Sequence, residues 1–377
     1  MEIIVLVILF FIVLAIEKNI YIKYFFVNLE YTCSFSKEEV FEGDEIEIIE
    51  TISNNKWLPV SCLKSELTIS KWLDFIGAYA QVNDQTRSLP SMFALRGYQK
   101  ITRRWRVKCL KRGVFAIEDV ALVARDLMNL CVMSRVVKIN KEITVLPKAY
   151  DGYLKQIQSS YIQGDVIVKR FIIEDPFYSL GVRNYTDRDS MNKIHWGATA
   201  KQQEIMVYHN DYTSRQECMI ILNMQSHDYQ INEVISENII EEGIKVCAAL
   251  FEHTLSLGIP VAFMTNSMLT EDDDRVTTRR QWGKEYIHQL YLLLAHLKLR
   301  STAYFGDFLM SNYFSIQATD IILVTCFINK DIAHFMRRKK AERTRVIAIL
   351  LKHEDLRAEY KDLKSYYFSP DKGVVVC

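Results

Sequence analysis

Between Gly181 and Val207 the chain reads GVRNYTDRDSMNKIHWGATAKQQEIMV, a stretch dense in side chains able to do chemistry. Arg183, Tyr185, Asp187, Arg188, Asp189, His195, Trp196 and Lys201 all fall within it. Two chemistries are open. With His195 as general base and Asp187 or Asp189 orienting its ring, the stretch would be a hydrolytic centre. That arrangement needs a nucleophile or an oxyanion cradle, and none stands near by in sequence. Alternatively, Arg183 pairs with Asp187 or Asp189 across a tight turn. Trp196 then packs the stretch onto the C-terminal domain, and His195 donates and accepts within a polar network. The second reading, a brace between two folded halves, is the one favoured.

A further cluster of candidate ligands follows the apolar run at Cys218, where the chain reads LNMQSH. Open α/β sheets bind ligands at the carboxyl ends of their strands, which places Asn223, Gln225, Ser226 and His227 at such a site. Glu271–Arg275, EDDDR, is an acidic loop that reads as a solvated turn rather than a cation site. No glycine-rich phosphate cradle follows a strand, no G-x-S-x-G elbow occurs, and the eight histidines never take H-E-x-x-H spacing.

The elements that must carry these residues are legible in outline. The length of 377 residues suits two domains, and 47 basic against 46 acidic residues leave no net field to draw nucleic acid. The cysteines, Cys33, Cys62, Cys109, Cys131, Cys218, Cys247, Cys326 and Cys377, show no C-x-x-C spacing and read as thiols in a reducing compartment.

Ile3–Ile16 is an uninterrupted apolar run of fourteen residues. As a helix it covers roughly 21 Å of a ~30 Å hydrocarbon layer, so a crossing must continue toward Phe26 with Tyr21 and Tyr24 in the headgroup belt. Residues 1–26 are therefore expected to be a membrane anchor. Lys18 and Lys23 on its C-terminal side direct the globular part into the cytosol. A cleaved signal peptide fits less well: only Met1 and Glu2 precede the run, and no small-residue cleavage site follows. The Asn184-Tyr185-Thr186 sequon is then without meaning.

Residues 30–147 show strand alternation and turn signals, which predict an antiparallel β-sandwich. Ile46, Ile48 and later Ile52 alternate with acids. Trp105, Val107 and Cys109 alternate with Arg104, Arg106 and Lys108, a basic stripe read as a solvated face. From residue 216 to 377, apolar strands alternate with amphipathic helices, predicting a parallel α/β sheet. Residues 148–215 link the two and contain the opening stretch.

The central stretch resembles the signature of the bacterial domain-of-unknown-function family 58. Gly181, Arg183, Tyr185, Asp189, Ile194, His195, Trp196, Ala198 and Ala200 match its pattern. Phe35–Ile48 and Lys111–Asp126 are similar to further segments of that family, so the resemblance runs over essentially the full length. It implies a β-sandwich followed by a von Willebrand factor A-like domain of Rossmann-type architecture. It also implies partnership with a MoxR-type AAA+ ATPase in a membrane-associated assembly system. The metal-binding form of such an A domain carries Asp-x-Ser-x-Ser after its first strand. Here Asn223-Met224-Gln225-Ser226-His227 stands there, so the metal position reads as degenerate.

The expectation is a non-catalytic, membrane-anchored interaction protein with no cofactor and no metal. An enzyme centred on His195 with Asp187 and Asp189, and a metal-dependent adhesion module using Asn223, are the alternatives.

Overall fold

The computed structural model describes residues 2–126, 131–150, 173–186, 189–213, 216–269, 276–352, 360, 362–369 and 373–376. Asp187, Arg188, the acidic loop Glu271–Arg275 and Cys377 lie outside them. The chain divides into two compact units, residues 1–149 with 288–297, and residues 150–287 with 298–377.

The first unit opens with helix α1, Glu2–Tyr24. Its 23 residues rise about 34 Å, so the helix is long and apolar enough to cross a bilayer. Large side chains from Ile3 to Val13 are exposed. The last turn departs from the sequence expectation. Tyr24 is exposed, but Tyr21 does not face outward: it is 2% exposed and joins the sandwich core with Phe25. Tyr21 and Phe25 are four residues apart, so one face of the helix end carries both into the core.

Lys56 fixes that end. It is buried, and its Nζ donates to the Phe25 carbonyl at 2.6 Å. Burial pulls its pKa from 10.5 down to about 8. The folded chain therefore binds fewer protons than the unfolded chain between those values, so stability rises with pH across that window. The expected gain is at most on the order of 3 kcal/mol, to be read as a shift in denaturant midpoint that Lys56→Met abolishes.

Among the described residues the sandwich has ten strands: β1 (Leu29–Phe35), β2 (Glu39–Phe41), β3 (Glu45–Asn54), β4 (Val60–Ser70), β5 (Leu73–Phe75), β6 (Gln81–Val82), β7 (Thr86–Leu95), β8 (Lys100–Cys109), β9 (Gly113–Arg125) and β10 (Val132–Leu146). One sheet runs β1-β3-β8-β5 and the other β2-β10-β9-β4-β7-β6. All pairings are antiparallel except β2 with β10. The alternation expected in β3 and β8 is present. Ile46, Ile48, Ile52, Val107 and Cys109 point inward, while Arg104, Arg106 and Lys108 face water. Arg104 meets Glu47 of the neighbouring strand at 3.2 Å.

The inward positions are not all apolar: Glu50 and Asn54 of β3, Ser65 and Ser91 are buried as well. Glu50 is fully buried and accepts from Tyr31 Oη at 2.8 Å, Ser65 Oγ at 2.5 Å and Trp105 Nε1 at 3.1 Å. Burial, reinforced by that carboxylate's charge, pushes the neighbouring Cys33 thiol up to about 12.

Residues 288–297 group with this unit, where the buried Arg112 guanidinium donates to the carbonyls of Leu294, Ala295 and Leu297 at 2.7–3.3 Å. These are carbonyls that a helix end leaves without intrahelical donors.

The second unit begins with strands β11 (Ile173–Asn184) and β12 (Met206–Thr213), then β13 (Cys218–Leu222), β14 (Asn232–Glu233), β15 (Val261–Thr265), β16 (Val276–Thr277), β17 (Arg300–Ser301), β18 (Asp320–Thr325), β19 (Arg345–Leu350), β20 (Ser365–Ser369) and β21 (Gly373–Val376). Its helices are α2 (Trp196–Gln202), α3 (Glu237–Ser256), α4 (Lys284–His296, shared with the first unit), α5 (Phe305–Ser311) and α6 (Lys330–Ala341). The main sheet is mixed, ordered β16-β15-β13-β18-β19-β20-β21. Its five central strands are parallel and the two edges antiparallel. β13, β15 and β18 are buried along their whole length, as strands covered on both faces must be. α3 buries Ile240, Ile244, Cys247 and Phe251 at helical spacing. In α6 the basic run Arg337–Lys340 is not wholly solvated: Lys339 is 4% exposed and lies over the Tyr313 ring.

Candidate functional site

The central stretch folds as a hairpin with a short helix in its loop. β11 and β12 pair antiparallel, with Val182 opposite Tyr208, Arg183 opposite Val207 and Asn184 opposite Met206. The register shifts just before Gly181, whose φ of +149° favours a residue without Cβ. Beyond the strand, Arg183 grips Asp189 through two hydrogen bonds of 2.6 and 2.5 Å. The Thr186 amide and hydroxyl donate to the same carboxylate at 2.9 and 2.7 Å. These donors, Arg183 first and Thr186 next, hold the Asp189 carboxyl well below the usual range. Tyr185 is half-buried, and its amide returns to the Ile205 carbonyl.

His195 stands immediately before α2. Its Nδ1 accepts from the Ala198 amide at 3.0 Å, so the ring caps the helix in the form protonated at Nε2. Its own amide donates to Met206 O, and its ring lies 4.5 Å from that of Tyr208. Gly197 leaves room for the ring: a Cβ there would come 3.3 Å from His195 Cε1. Ile194 is buried and bridges Val207. Ala200 and Lys201 are exposed.

Trp196 corrects the expectation that it packs the stretch onto the C-terminal domain. It is 72% exposed, because the first position of α2 turns its indole to solvent. His195 and Asp189 are thus brought into one hairpin, each holding backbone.

The second cluster lies at the sheet's topological switch point. The chain leaves β13 through α3 to β15 on one side, and leaves β18 through α6 to β19 on the other. That divergence opens a crevice at the carboxyl ends of β13 and β18, the place where parallel sheets bind ligands. A cleft of about 710 Å³ occupies it.

Of the residues after β13 that the sequence singled out, Gln225 lines the cleft, and Asn223, Ser226 and His227 stand beside it in the same turn. Asn223 is fully buried. Its Nδ2 donates to Thr325 Oγ1 at 3.0 Å, and its Oδ1 accepts from the Gln225 amide at 2.9 Å. Gln225 Oε1 accepts from the Phe305 amide at 2.6 Å, and its Nε2 donates to Gln230 O. Ser226 Oγ lies 3.0 Å from His227 Nδ1 and donates to Gln230 Oε1 at 2.7 Å. Both functional atoms of Asn223 and of Gln225 therefore bind the protein itself. Among the described residues no group of three His, Cys, Asp or Glu side chains is placed to hold a metal.

Sequence reasoning missed the cleft's other half. Tyr229 and Tyr304 stand exposed at its rim with Asp228, Asp307, Lys330 and Asp331, while Phe305, Phe327 and Tyr360 lie buried below. Asn329 caps α6 through its side chain and donates to Asp228 at 2.5 Å. Gly306 brings α5 against α6, since a Cβ there would lie 2.6 Å from that of Asp331. The signal that could have found them was position: Cys326–Lys330 follows β18 as Asn223–His227 follows β13.

No protein-family model matches the chain, and no curated protein matches it. Solved structures give partial likenesses. A non-cellulosomal cohesin from the hyperthermophilic archaeon Archaeoglobus fulgidus is 12% identical, with 36% of this chain and 99% of the cohesin covered, at a TM-score of 0.21. A type I cohesin–dockerin complex from Clostridium thermocellum gives 12% identity, 32% and 99% coverage, and a TM-score of 0.22. A CARDB domain from Pyrococcus furiosus, solved with two metal ions, gives 13%, 31% and 93%, and 0.19. Likeness at this level carries no functional weight.

Proposed function

We propose that this chain is a non-catalytic, membrane-anchored interaction protein of the domain-of-unknown-function 58 type. Its C-terminal unit is then a von Willebrand factor A-like domain. It works with a MoxR-type AAA+ ATPase in the assembly or maturation of protein complexes. The observation that supports this over an enzyme is how the best acid–base candidates are used. His195 Nδ1 is committed to the Ala198 amide, and the Asp189 carboxylate to four donors from Arg183 and Thr186. The order of the parallel sheet, with β16 antiparallel at its edge beyond β15 and β13, is consistent with the A-like reading.

On this reading α1 crosses the cell membrane, Lys18 and Lys23 keep the globular part in the cytosol, and no cofactor or nucleic acid is needed. The partner docks at the switch-point cleft, where exposed Tyr229 and Tyr304 are of the type that anchors interfaces. The test is co-purification of the full chain, in detergent, with a MoxR-type AAA+ ATPase. Retention that falls about tenfold on Tyr304→Ala supports the proposal. Absence of retention by the wild type, or a hydrolase activity that His195→Ala removes, overturns it.

A further inference from the structure

The end of the sandwich from which α1 emerges carries aromatic and basic side chains that no fold requirement explains. Three chain segments meet there. The turn after α1 brings Phe25, Phe26 and Asn28. The β3–β4 connection brings Asn55–Leu58, and the β7–β8 connection brings Arg96–Gln99. They are knit by hydrogen bonds: Lys56 Nζ to Phe25 O at 2.6 Å, the Asn55 amide to Asn28 O at 2.9 Å, and the Tyr98 amide to Lys56 O at 3.1 Å. Asn54 Nδ2 adds bonds to Leu58 O at 3.0 Å and Arg96 O at 2.9 Å.

From this tightly held base, large side chains stand out into solvent. Trp57 is 71% exposed and Tyr98 76%, while the residues on either side of Trp57, Lys56 and Leu58, are buried. Tyr98 is held at a φ of +58°, which costs a bulky residue energy and persists only where its surroundings enforce it. Gly97 permits the approach, since a Cβ on it would lie 2.6 Å from Trp57 O. Exposed Lys23, Arg96 and Lys100 come from the same segments and their borders. The residues exposed between them, Asn28, Asn55 and Gln99, carry no charge, while the exposed acid Glu30 stands at the border, across β3 from Lys100.

Tryptophan and tyrosine settle at the headgroup level of a bilayer, and each lysine or arginine near an anionic surface adds to its attraction. Trp57 and Tyr98 sit within two hydrogen bonds of the end of a helix able to cross a bilayer. We propose that this face is a second membrane contact. Trp57 and Tyr98 enter the headgroup layer while Lys23, Arg96 and Lys100 pair with anionic phospholipid, so the sandwich lies against the bilayer instead of hanging from a flexible tether. The inference rests on the anchor reading for its geometry.

The test uses the full chain in vesicles of phosphatidylcholine with phosphatidylglycerol, the phosphatidylcholine brominated high on its acyl chains. The readouts are tryptophan quenching and resistance to carbonate extraction. With a membrane-integral chain, quenching that is mostly lost in Trp57→Phe but persists in Trp196→Phe and Trp282→Phe supports the proposal. So does a loss of quenching in Lys23→Gln/Arg96→Gln/Lys100→Gln. An integral chain whose quenching ignores Trp57 and the three cations overturns the contact and leaves the anchor standing. A chain that carbonate extracts, yet whose quenching depends on Trp57, supports the contact and overturns the anchor. Extraction with no Trp57-dependent quenching overturns both.

Discussion

Glu50→Ala is expected to destabilise the sandwich unit by roughly 3–5 kcal/mol, the largest effect of any single polar substitution in it. The substitution empties a fully buried position and leaves the Tyr31 hydroxyl, the Ser65 hydroxyl and the Trp105 N–H without their acceptor. Glu50→Gln separates charge from shape. Its amide oxygen can serve Tyr31 and Ser65, but its NH₂ then faces the Trp105 N–H, donor against donor, for a loss of about 1–3 kcal/mol. The check is the urea midpoint of each variant, with native-state labelling of Cys33 as a second readout. The Glu50 charge helps hold that thiol up at about 12, so Glu50→Gln should raise its labelling rate beyond what the stability change alone produces. Equal midpoints for Glu50→Ala and wild type would remove this network from any account of the core.

Asn223→Asp is expected to cost on the order of 3–5 kcal/mol at neutral pH, more than its small change of shape suggests. The carboxylate would be fully buried and would lose the donor that Asn223 gives to Thr325. Thr325 Oγ1 already donates to Phe327 O, so it can serve the new carboxylate only by abandoning that bond. Burial raises the carboxyl's pKa above its unfolded value, so the protonated form is favoured in the folded chain. The loss should therefore shrink as pH falls and grow as pH rises. Denaturant midpoints at mildly acidic and mildly basic pH will show this. Magnesium is expected to leave the variant's midpoint unchanged, because Gln225 Oε1 is committed to the Phe305 amide. Recovery by millimolar Mg²⁺ would mean that a working metal position survives at the end of β13.

Much of this architecture was legible because burial follows period. Ile46, Ile48 and Ile52 share one parity of β3 and are buried, and the all-apolar runs at β13, β15 and β18 became the centre of a parallel sheet. Glu50 shares that same parity, so the alternation placed it inside. Nothing local showed that Tyr31, Ser65 and Trp105, on three other strands, would converge on it. Tyr21 fell to a similar long-range effect. As the end of an apolar helix it suited a headgroup belt, but the sandwich offered its ring a core beside Phe25. In the hairpin, the pairing of Arg183 with an aspartate followed from types and spacing, whereas the use of His195 as a cap required the backbone path at Ala198. The cleft was half legible. Of the wall that follows β13, Gln225 was named, whereas Asp228 and Tyr229 were not. The other comes from residues near Tyr304 and Asn329, about 80 to 105 positions further along the sequence, joined to it by sheet order alone.

The structural role of the central stretch can be decided by exchanging the cap. Amide hydrogen exchange across Trp196–Gln202 should be compared in the wild type, His195→Ala and His195→Asp, each as the full chain. An aspartate can accept from the Ala198 amide as the ring nitrogen does, so His195→Asp should retain protection. His195→Ala should lose about 1 kcal/mol of it, a roughly fivefold faster exchange. Equal damage in both variants, together with a turnover in the wild type that both abolish, would show that bonds are made or broken at His195.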